Sequence, residues 1–463
     1  MKTTSNSNST MSRRDFVKKS AIGLTALSAS RVLGANDRIG IGIIGYGLIG
    51  KQHIVDLKKF NDVDLIGLCD VYKPRLDQGL AHIDNPNAKG YGDFRKMLEN
   101  KDIQGILVST PDHWHALLTI LACQAGKDVY VEKPMTVFID EGKWMVQAAR
   151  KYGRIVVVGT QRRQGRAVAE AKKVVASGVL GKIHSIRIAS TRNVYPGFGK
   201  TPVSEPPAGF DYDLWQGPTE KKPYTAHRGL YHFRWFWDYS GGQMTNLGAH
   251  VIDQVLWIMG VKGPTLVSSM GGRLALEDDG ETPDTQDATW AFPGFVLNCA
   301  IREANAGRGE DSGGGQAFLG TKGSMSFSGS VRSENKIDPV NDIPRFSGHP
   351  IGGPVYTDVR ATPWIEAPPV GGGGGGGGED TMAMNKRDWL ESMRTRKRPL
   401  CEVEDGHHVA IVCHLANMSL RLGRSIRWDP DKEVVIGDPE AAAMCVRPYR
   451  APWDAVLKSA VTV

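Results

Sequence analysis

An apolar strand that runs straight into a glycine turn constrains this chain more than any other feature. Ile39, Ile41, Ile43 and Ile44 precede Gly45-Tyr46-Gly47-Leu48-Ile49-Gly50, a helical segment follows, and a second apolar run from Val63 to Cys69 ends on Asp70. The spacing is G-x-G-x-x-G between a strand and a helix, with an acid 20 residues beyond the last glycine. In such a unit the first glycine permits the tight turn, the second lets the backbone approach a pyrophosphate, and the third lets helix and strand pack closely. N–H groups at the helix start then face the phosphates. Asp70 is placed to accept hydrogen bonds from both ribose hydroxyls and would repel a 2′-phosphate, so the expected cofactor is NAD rather than NADP. Gly45, Tyr46, Gly47, Leu48, Ile49, Gly50 and Asp70 are the expected cradle.

The alternation of strands and helices continues past Asp70. Ile103 to Ser109 reads as a buried strand ending in Thr110-Pro111-Asp112, His115 to Ala125 as a helix stopped by Gly126, and Asp128 to Val131 as a strand leading into Glu132-Lys133-Pro134. A helix from Ile139 to Lys151 and a strand from Ile155 to Gly159 complete the run. Strands separated by helices imply parallel β-α-β units, and ligands bind beyond the carboxyl ends of such strands. Thr110, Pro111, His113, His115, Glu132, Lys133 and Gln161 fall on that edge and are expected to line the cofactor pocket.

Beyond residue 160 the pattern changes to period-two runs: Ile183 to Ile188, Leu266 to Met270, Ala288 to Phe292, Val296 to Arg302, Gln316 to Leu319 and Ser324 to Ser328. This alternation predicts a mostly antiparallel sheet with one covered face. A helix from Asn246 to Met259, with Asn246 as N-cap and Gly260 as its stop, lies among these runs. The fold class is therefore α/β: an N-terminal Rossmann parallel sheet over 36–160 and a C-terminal α+β domain with a mostly antiparallel open sheet over 161–463. Eight consecutive glycines, Gly371 to Gly378, predict a flexible loop, and helices are expected at Thr381–Thr395 and Glu404–Leu422. The tail through Tyr449-Arg450-Ala451-Pro452-Trp453 reads as irregular.

Residues 1–35 read as an export leader. Ser12-Arg13-Arg14-Asp15-Phe16-Val17-Lys18 is similar to a twin-arginine signal, followed by an apolar run, Ala21 to Ala29, and small residues near Ala35. That run is too short for a permanent span, which needs roughly 20 apolar residues. The expected location is the periplasm, without stable membrane insertion. Of the formal net charge of +7, the leader supplies +5 (six basic residues against Asp15), which leaves the mature chain near +2. With no basic run interleaved with aromatics, nucleic acid is not an expected partner. The 6 cysteines show no C-x-x-C and no zinc-finger spacing, so buried free thiols are expected. His113 and His115 lack a clear third ligand, so no metal is expected either.

Together, the Rossmann unit, Glu132-Lys133-Pro134, the segment Gly241-Gly242…His250 and the trailing antiparallel domain resemble the glucose–fructose oxidoreductase / inositol dehydrogenase (Gfo/Idh/MocA) family. The leader, Gly159-Thr160-Gln161-Arg162-Arg163 and Thr245-Asn246-Leu247-Gly248-Ala249-His250 resemble its exported branch. The resemblance implies a carbohydrate substrate, a homo-oligomer (dimer or tetramer), and two catalytic residues. Lys133 is implied to sit beside the nicotinamide ribose and the reacting hydroxyl, where a buried lysine has a lowered pKa. His250 is implied as a second acid/base. In inositol dehydrogenase-like members an acid one helical turn earlier supports that histidine; here the position is Asn246, an amide that can orient an imidazole but cannot offset imidazolium charge.

Substrate-binding candidates follow from chemistry. Arg162 and Arg163, just past a strand end, either bind substrate hydroxyls or a carboxylate, or pair with acids at the domain junction. Tyr231 and Trp237, in the aromatic stretch Tyr231 to Tyr239, are expected to stack on sugar rings, with Arg234 and Asp238 bonding the hydroxyls and the other aromatics being core or interface. Asn246 and His250 complete the set. The functions in view are an NAD-dependent oxidoreductase acting on a sugar or glycoside hydroxyl with a retained, internally recycled cofactor; a glycoside hydrolase or lyase that works by transient oxidation and elimination, as in NAD-dependent α-N-acetylgalactosaminidases; and a non-catalytic carbohydrate-binding protein, against which the intact glycines, Asp70 and Lys133 argue.

Overall fold

Six parallel strands build the first sheet: β1 (Ile39–Ile44), β2 (Val63–Cys69), β3 (Lys89–Tyr91), β4 (Gly105–Val108), β5 (Asp128–Val131) and β6 (Val156–Val158), in the order β3-β2-β1-β4-β5-β6. The computed structural model describes residues 38–306, 317–326, 331–333 and 379–461. The leader and Gly371 to Gly378 lie outside the described residues. The apolar strands of this sheet are buried on both faces, and alternate residues enter different layers. Ile41 and Ile43 of β1, Leu107 of β4 and Tyr130 of β5 pack in one layer with Ile54 and Leu57 of α1 (Leu48–Leu57). Ile44, Ile106, Val108, Val129 and Val131 pack in the other with Leu117, Leu118 and Ile120 of α2 (His115–Gln124) and Met145 and Ala148 of α3 (Ile139–Lys151).

The second sheet has nine strands. They are β7 (Ile183–Thr191), β8 (Leu266–Gly272), β9 (Thr285–Phe292), β10 (Phe295–Arg302), β11 (Ala317–Gly320), β12 (Gly323–Ser326), β13 (Val331–Ser333), β14 (Ile426–Asp429) and β15 (Val434–Val435). Their order is β13-β12-β11-β7-β10-β9-β8-β14-β15, with β7 and β10 parallel and the other pairs antiparallel. The predicted alternation is realised: Gln286, Ala288, Trp290 and Phe292 of β9 point inward while Asp287 and Thr289 face solvent. The covered face meets α4 (Gly248–Met259) and α5 (Val403–Leu422), with Ile252, Val255, Val412 and Leu415 packed on Trp290, Leu297 and Ile301. Full burial of Trp290 makes this face a major stabilising unit; truncating a buried Trp to Ala typically costs about 3–5 kcal/mol.

Three elements differ from the sequence reading. The helix expected from Asn246 is two pieces, Gly242–Asn246 and Gly248–Met259, so Asn246 ends a short turn and Leu247 occupies the N-cap. Its side chain is thereby free to bond elsewhere. A helix at Lys73–Ile83 escaped the sequence reading, since only Gly79 and Ile83 of it are buried and its apolar stripe is thin. The tail is helical from Trp453 to Val461, where Trp453 and Leu457 join the layer over α2. The helix at Thr381–Thr395 also returns to the first sheet: Trp389, Leu390 and Met393 pack in the α1 layer. All six cysteines are buried and free. Among the described residues no helix is long and apolar enough to cross a membrane, and no group of three or more His, Cys, Asp or Glu is placed to hold a metal ion.

Candidate active site

Glycine chemistry shapes the cradle at the carboxyl end of β1. Gly45 has φ +97°, a conformation that L side chains rarely adopt, and a Cβ there would crowd the Ser109 backbone. A Cβ at Gly50 would collide with the Gly45 carbonyl, so the third glycine lets α1 close on the turn. At Gly47 nothing stands within 4 Å of where a Cβ would be, and Gly47 lines a cavity with Gly45, Leu48 and Ile49. Asp70 shares this wall. Its Oδ2 accepts from the Tyr46 N–H at 2.8 Å and its Oδ1 from the Tyr72 N–H at 2.9 Å, which fixes the carboxylate while leaving lone pairs for ribose hydroxyls. Burial pushes the Asp70 carboxyl up, against these two bonds and the Arg75 charge. The donor set fits a dinucleotide: an open glycine turn at a helix start and an anchored acid one strand away.

The cavity, about 300 Å³, continues from this turn past Thr110, Pro111 and His115 to Glu132, Lys133, Gln161 and His250. His115 ties two of its loops together, one ring nitrogen 2.9 Å from the Thr110 carbonyl oxygen and the other 2.7 Å from that of Pro134. Glu132 is buried beneath the floor, its Oε1 3.0 Å from His53 Nε2 and its Oε2 accepting from the Lys133 N–H at 3.2 Å. Burial pushes the Glu132 carboxyl up, but His53 and the nearby Lys133 and Lys386 charges hold it below the usual range. Gly159 makes room for it, since a Cβ there would press on the carboxylate.

Lys133 leaves the end of β5 and turns toward the second domain. Its Nζ donates to Asn246 Oδ1 at 2.9 Å and to the Asn246 carbonyl oxygen at 3.2 Å. Burial lowers its pKa; Glu132 and Asp112 oppose that, and the Arg234 and Arg162 charges add to it. His250, in the first turn of α4, lines the same cavity and is only 8% exposed. Burial, then the Lys133 and Arg162 charges, push its pKa well below the usual imidazole value, so it is neutral at neutral pH. The expectation that Asn246 orients His250 is corrected. The amide bonds Lys133 and Gln243, and His250 Nδ1 has no hydrogen-bond partner among the described residues.

Other expected residues fall elsewhere. Tyr46 serves through its backbone; its ring is buried away from the cavity, with its hydroxyl 3.2 Å from His82 Nδ1. His113 is fully buried, one ring nitrogen 2.8 Å from the Trp215 carbonyl oxygen, and burial lowers its pKa to about 3; it supports the wall and does not line it. Trp237 lies outside the cavity wall, under the Arg421 guanidinium at 5.0 Å, so it is not a stacking platform for substrate. Arg163 is buried and donates from Nε to both Asp253 oxygens at 2.8 and 2.9 Å, which realises the domain-junction alternative and removes it from the substrate set. Arg162 is exposed and reaches Lys133 and His250 through its charge. Tyr231 does line the cavity.

The sequence reading missed Trp215 and gave Asp112 no role, although Asp112 stood in the quoted turn Thr110-Pro111-Asp112 on the ligand edge; both line the cavity, as do Phe233 and Arg234 of the aromatic stretch, where the arginine was expected to bond sugar hydroxyls. Asp112 is buried, accepts a short hydrogen bond from Ser240, and burial raises its pKa.

Comparison with known proteins follows the same two-domain division. Residues 39–160 match the family model described as "Oxidoreductase family, NAD-binding Rossmann fold". Residues 164–270 and 380–455 match "Oxidoreductase family, C-terminal alpha/beta domain", and 220–326 match "GFO/IDH/MocA C-terminal domain". A myo-inositol 2-dehydrogenase from Thermotoga maritima is 31% identical over 150 residues, which cover 32% of this chain and 44% of that protein. The chain thus matches less than half the length of that relative. A glycosyl hydrolase family 109 protein from Shewanella sp. (strain W3-18-1) is 26% identical over 331 residues, 63% of this chain and 68% of that one. The WlbA dehydrogenase from Bordetella pertussis, solved with NADH and UDP-GlcNAcA, shares the fold at TM-score 0.58 and 21% identity, over 85% of this chain and 99% of that one.

Proposed function

Since the chain belongs to the Gfo/Idh/MocA oxidoreductase family, with an NAD-binding Rossmann domain, we propose that it oxidises a hydroxyl of a sugar or glycoside. The observation that carries this reading is that Lys133 and His250 line one cavity with the Gly45–Gly47 turn and Asp70. NAD bound in that cradle supplies a hydride acceptor for the carbinol carbon. Lys133, its pKa lowered by burial and its amine fixed by Asn246, holds or takes the hydroxyl proton. Neutral His250 offers a second acceptor or donor to the same substrate. Tyr231, Phe233 and Trp215 supply apolar faces for the ring and help exclude water.

A second reading is favoured by the extent of one match. The family 109 glycosyl hydrolase aligns across both domains, whereas the inositol dehydrogenase match covers 32% of this chain. In that reading oxidation is transient, loss of the acidified neighbouring proton expels the aglycone, water adds to the double bond so formed, and the hydride returns. NAD-loaded protein is tested against a panel of sugars and aryl glycosides. A rise in nicotinamide absorbance on adding a sugar, reversed by an added keto acceptor while oxidised sugar accumulates, marks net oxidation; aglycone release without net redox marks the second reading; neither sinks both.

The Arg13-Arg14 leader supports a periplasmic location, because twin-arginine substrates are exported folded and can carry a bound dinucleotide with them. A retained cofactor would then be recycled in place. Arg13→Lys with Arg14→Lys should leave folded protein in the cytoplasm; unchanged export would show that the leader is of another kind. An apolar strip on the open face of the second sheet, Leu266 and Val296 flanking Ala291 in register, supports a homo-oligomer, which sedimentation would test.

A further inference from the structure

Two guanidiniums near Lys133 have no carboxylate of their own among the described residues. Arg234 lines the cavity; its Nη1 donates to the Tyr231 carbonyl oxygen at 3.2 Å, and its guanidinium lies over the rings of Phe233 at 4.6 Å and Tyr231 at 5.4 Å. These contacts hold the side chain in place without neutralising it. Arg162 is exposed on the turn after β6 and forms no ion pair among the described residues; the acid that acts on it, Asp253, is already held by Arg163.

The acids of the cavity are committed. Asp70 is held by the Tyr46 and Tyr72 N–H groups, Asp112 by Ser240, and Glu132 faces His53. Lys133 is bonded to a neutral amide. Asp112 still acts by charge on Arg234 and Lys133, but no carboxylate pairs with Arg234 or Arg162 among the described residues, so their donors stay open to a ligand. The planar donors of an unpaired guanidinium match a carboxylate or phosphate. Arg234 lines the cavity with Lys133, and Arg162 directly follows Gln161, which lines it too; the charges of both act on Lys133.

We propose that the substrate is an anionic carbohydrate, whose carboxylate or phosphate is bound by Arg234 and Arg162 while Lys133 and His250 face the hydroxyl to be oxidised. The inference rests on the reading of the site as a carbohydrate oxidoreductase and adds the charge of its substrate. A bound anion would also offset the Arg234 and Arg162 charges, which add to burial in lowering the Lys133 pKa.

The test uses NAD-loaded protein and matched trios in the gluco and galacto series: the methyl glycoside, its uronate, and the sugar phosphorylated at the primary hydroxyl. Binding is followed by calorimetry and turnover by nicotinamide absorbance. In at least one series an anionic member should bind about tenfold or more tighter than the neutral glycoside. Preference for the uronate identifies a carboxylate substrate, and preference for the phosphate a sugar phosphate. Arg234→Gln and Arg162→Gln should each erode the preference, raise KM more than they lower kcat, and leave bound NAD unchanged; Arg234→Lys should restore part of it. Neutral glycosides that match or surpass the anions in both series overturn the inference, as does a preference that survives both substitutions or a loss of bound NAD in Arg234→Gln. Turnover of neutral sugars in that case leaves the oxidoreductase reading standing. Tight anion binding without turnover or aglycone release by any probe would keep the inference and sink that reading.

Discussion

Lys133 Nζ donates to both oxygens of Asn246, the side-chain Oδ1 at 2.9 Å and the backbone carbonyl at 3.2 Å. A neutral acceptor positions the ammonium without the Coulomb attraction that would hold its proton. Burial therefore prevails, and the Lys133 pKa falls below that of an ordinary lysine. His250, four residues on, receives nothing from Asn246. The residue that seemed from sequence to belong to the histidine belongs to the lysine.

Replacing that amide separates its two effects. Asn246→Ala removes a fixed acceptor and should lower kcat by about 10–100-fold through lost positioning of the amine. Asn246→Asp puts a carboxylate beside the ammonium and should raise the Lys133 pKa. If neutral Lys133 takes the hydroxyl proton, the rising limb of the pH–rate profile then moves to higher pH, and activity at neutral pH drops. Profiles of the two variants check this; an unmoved limb in Asn246→Asp would detach Lys133 from the titration.

Asp70 reads the cofactor. Asp70→Ser removes a carboxylate aimed at the ribose diol, and hydrogen bonds to a charged group contribute about 1.5–3 kcal/mol. NAD affinity should fall by about tenfold or more, while NADP, freed of charge repulsion, should lose less or gain. Fluorescence titration of stripped protein with both dinucleotides measures the ratio. NADP in wild-type protein purified from its native host would contradict the reading.

Arg163 and Asp253 are a structural pair. Both side chains are at most 3% exposed, and Arg163 also reaches Asp405 at 3.3 Å. Arg163→Ala strands a buried carboxylate and should cost about 3–5 kcal/mol in urea unfolding. Arg163→Met combined with Asp253→Leu removes both charges and should cost less than the single change. KM for sugar should be unaffected in whatever folded protein remains; a large KM rise would return Arg163 to the substrate set.

The parts legible in sequence were those whose reason is local. Gly45 and Gly50 each answer a backbone requirement inside one turn, Gly47 leaves open space beside it, and Asp70 directly follows the next strand. The two sheets were legible from periodicity, since continuous apolar runs such as Ile103 to Ser109 differ from the alternation of Ala288 to Phe292. Long-range pairing was not legible. Arg163 finds Asp253 across 90 residues, and Lys133 finds Asn246 across 113. Arg234 was expected to bond sugar hydroxyls, but that it lines the cavity with Lys133 and has no carboxylate of its own among the described residues depends on long-range packing. The helix at Lys73–Ile83 went unread because it covers little of the core.

The last prediction ranks the two catalytic residues. Lys133→Ala removes the group that holds the hydroxyl proton, and general acid–base contributions are about 10²–10⁴-fold, so kcat should fall by that order. The cradle of Gly45, Gly47 and Asp70 is untouched, so bound NAD should persist. His250→Ala should cost less, since a neutral imidazole without a supporting acid contributes a hydrogen bond and little charge. Removing Lys133 also removes the largest charge acting on His250, so in Lys133→Ala the imidazole pKa should rise toward its ordinary value. Residual activity in that variant should then fall as pH drops through the new His250 pKa, a limb that Lys133→Ala with His250→Ala would lack. Steady-state kinetics across pH, with bound NAD measured by mass spectrometry, decides the ranking. Wild-type turnover in Lys133→Ala discards the assignment, and a larger loss in His250→Ala reverses it.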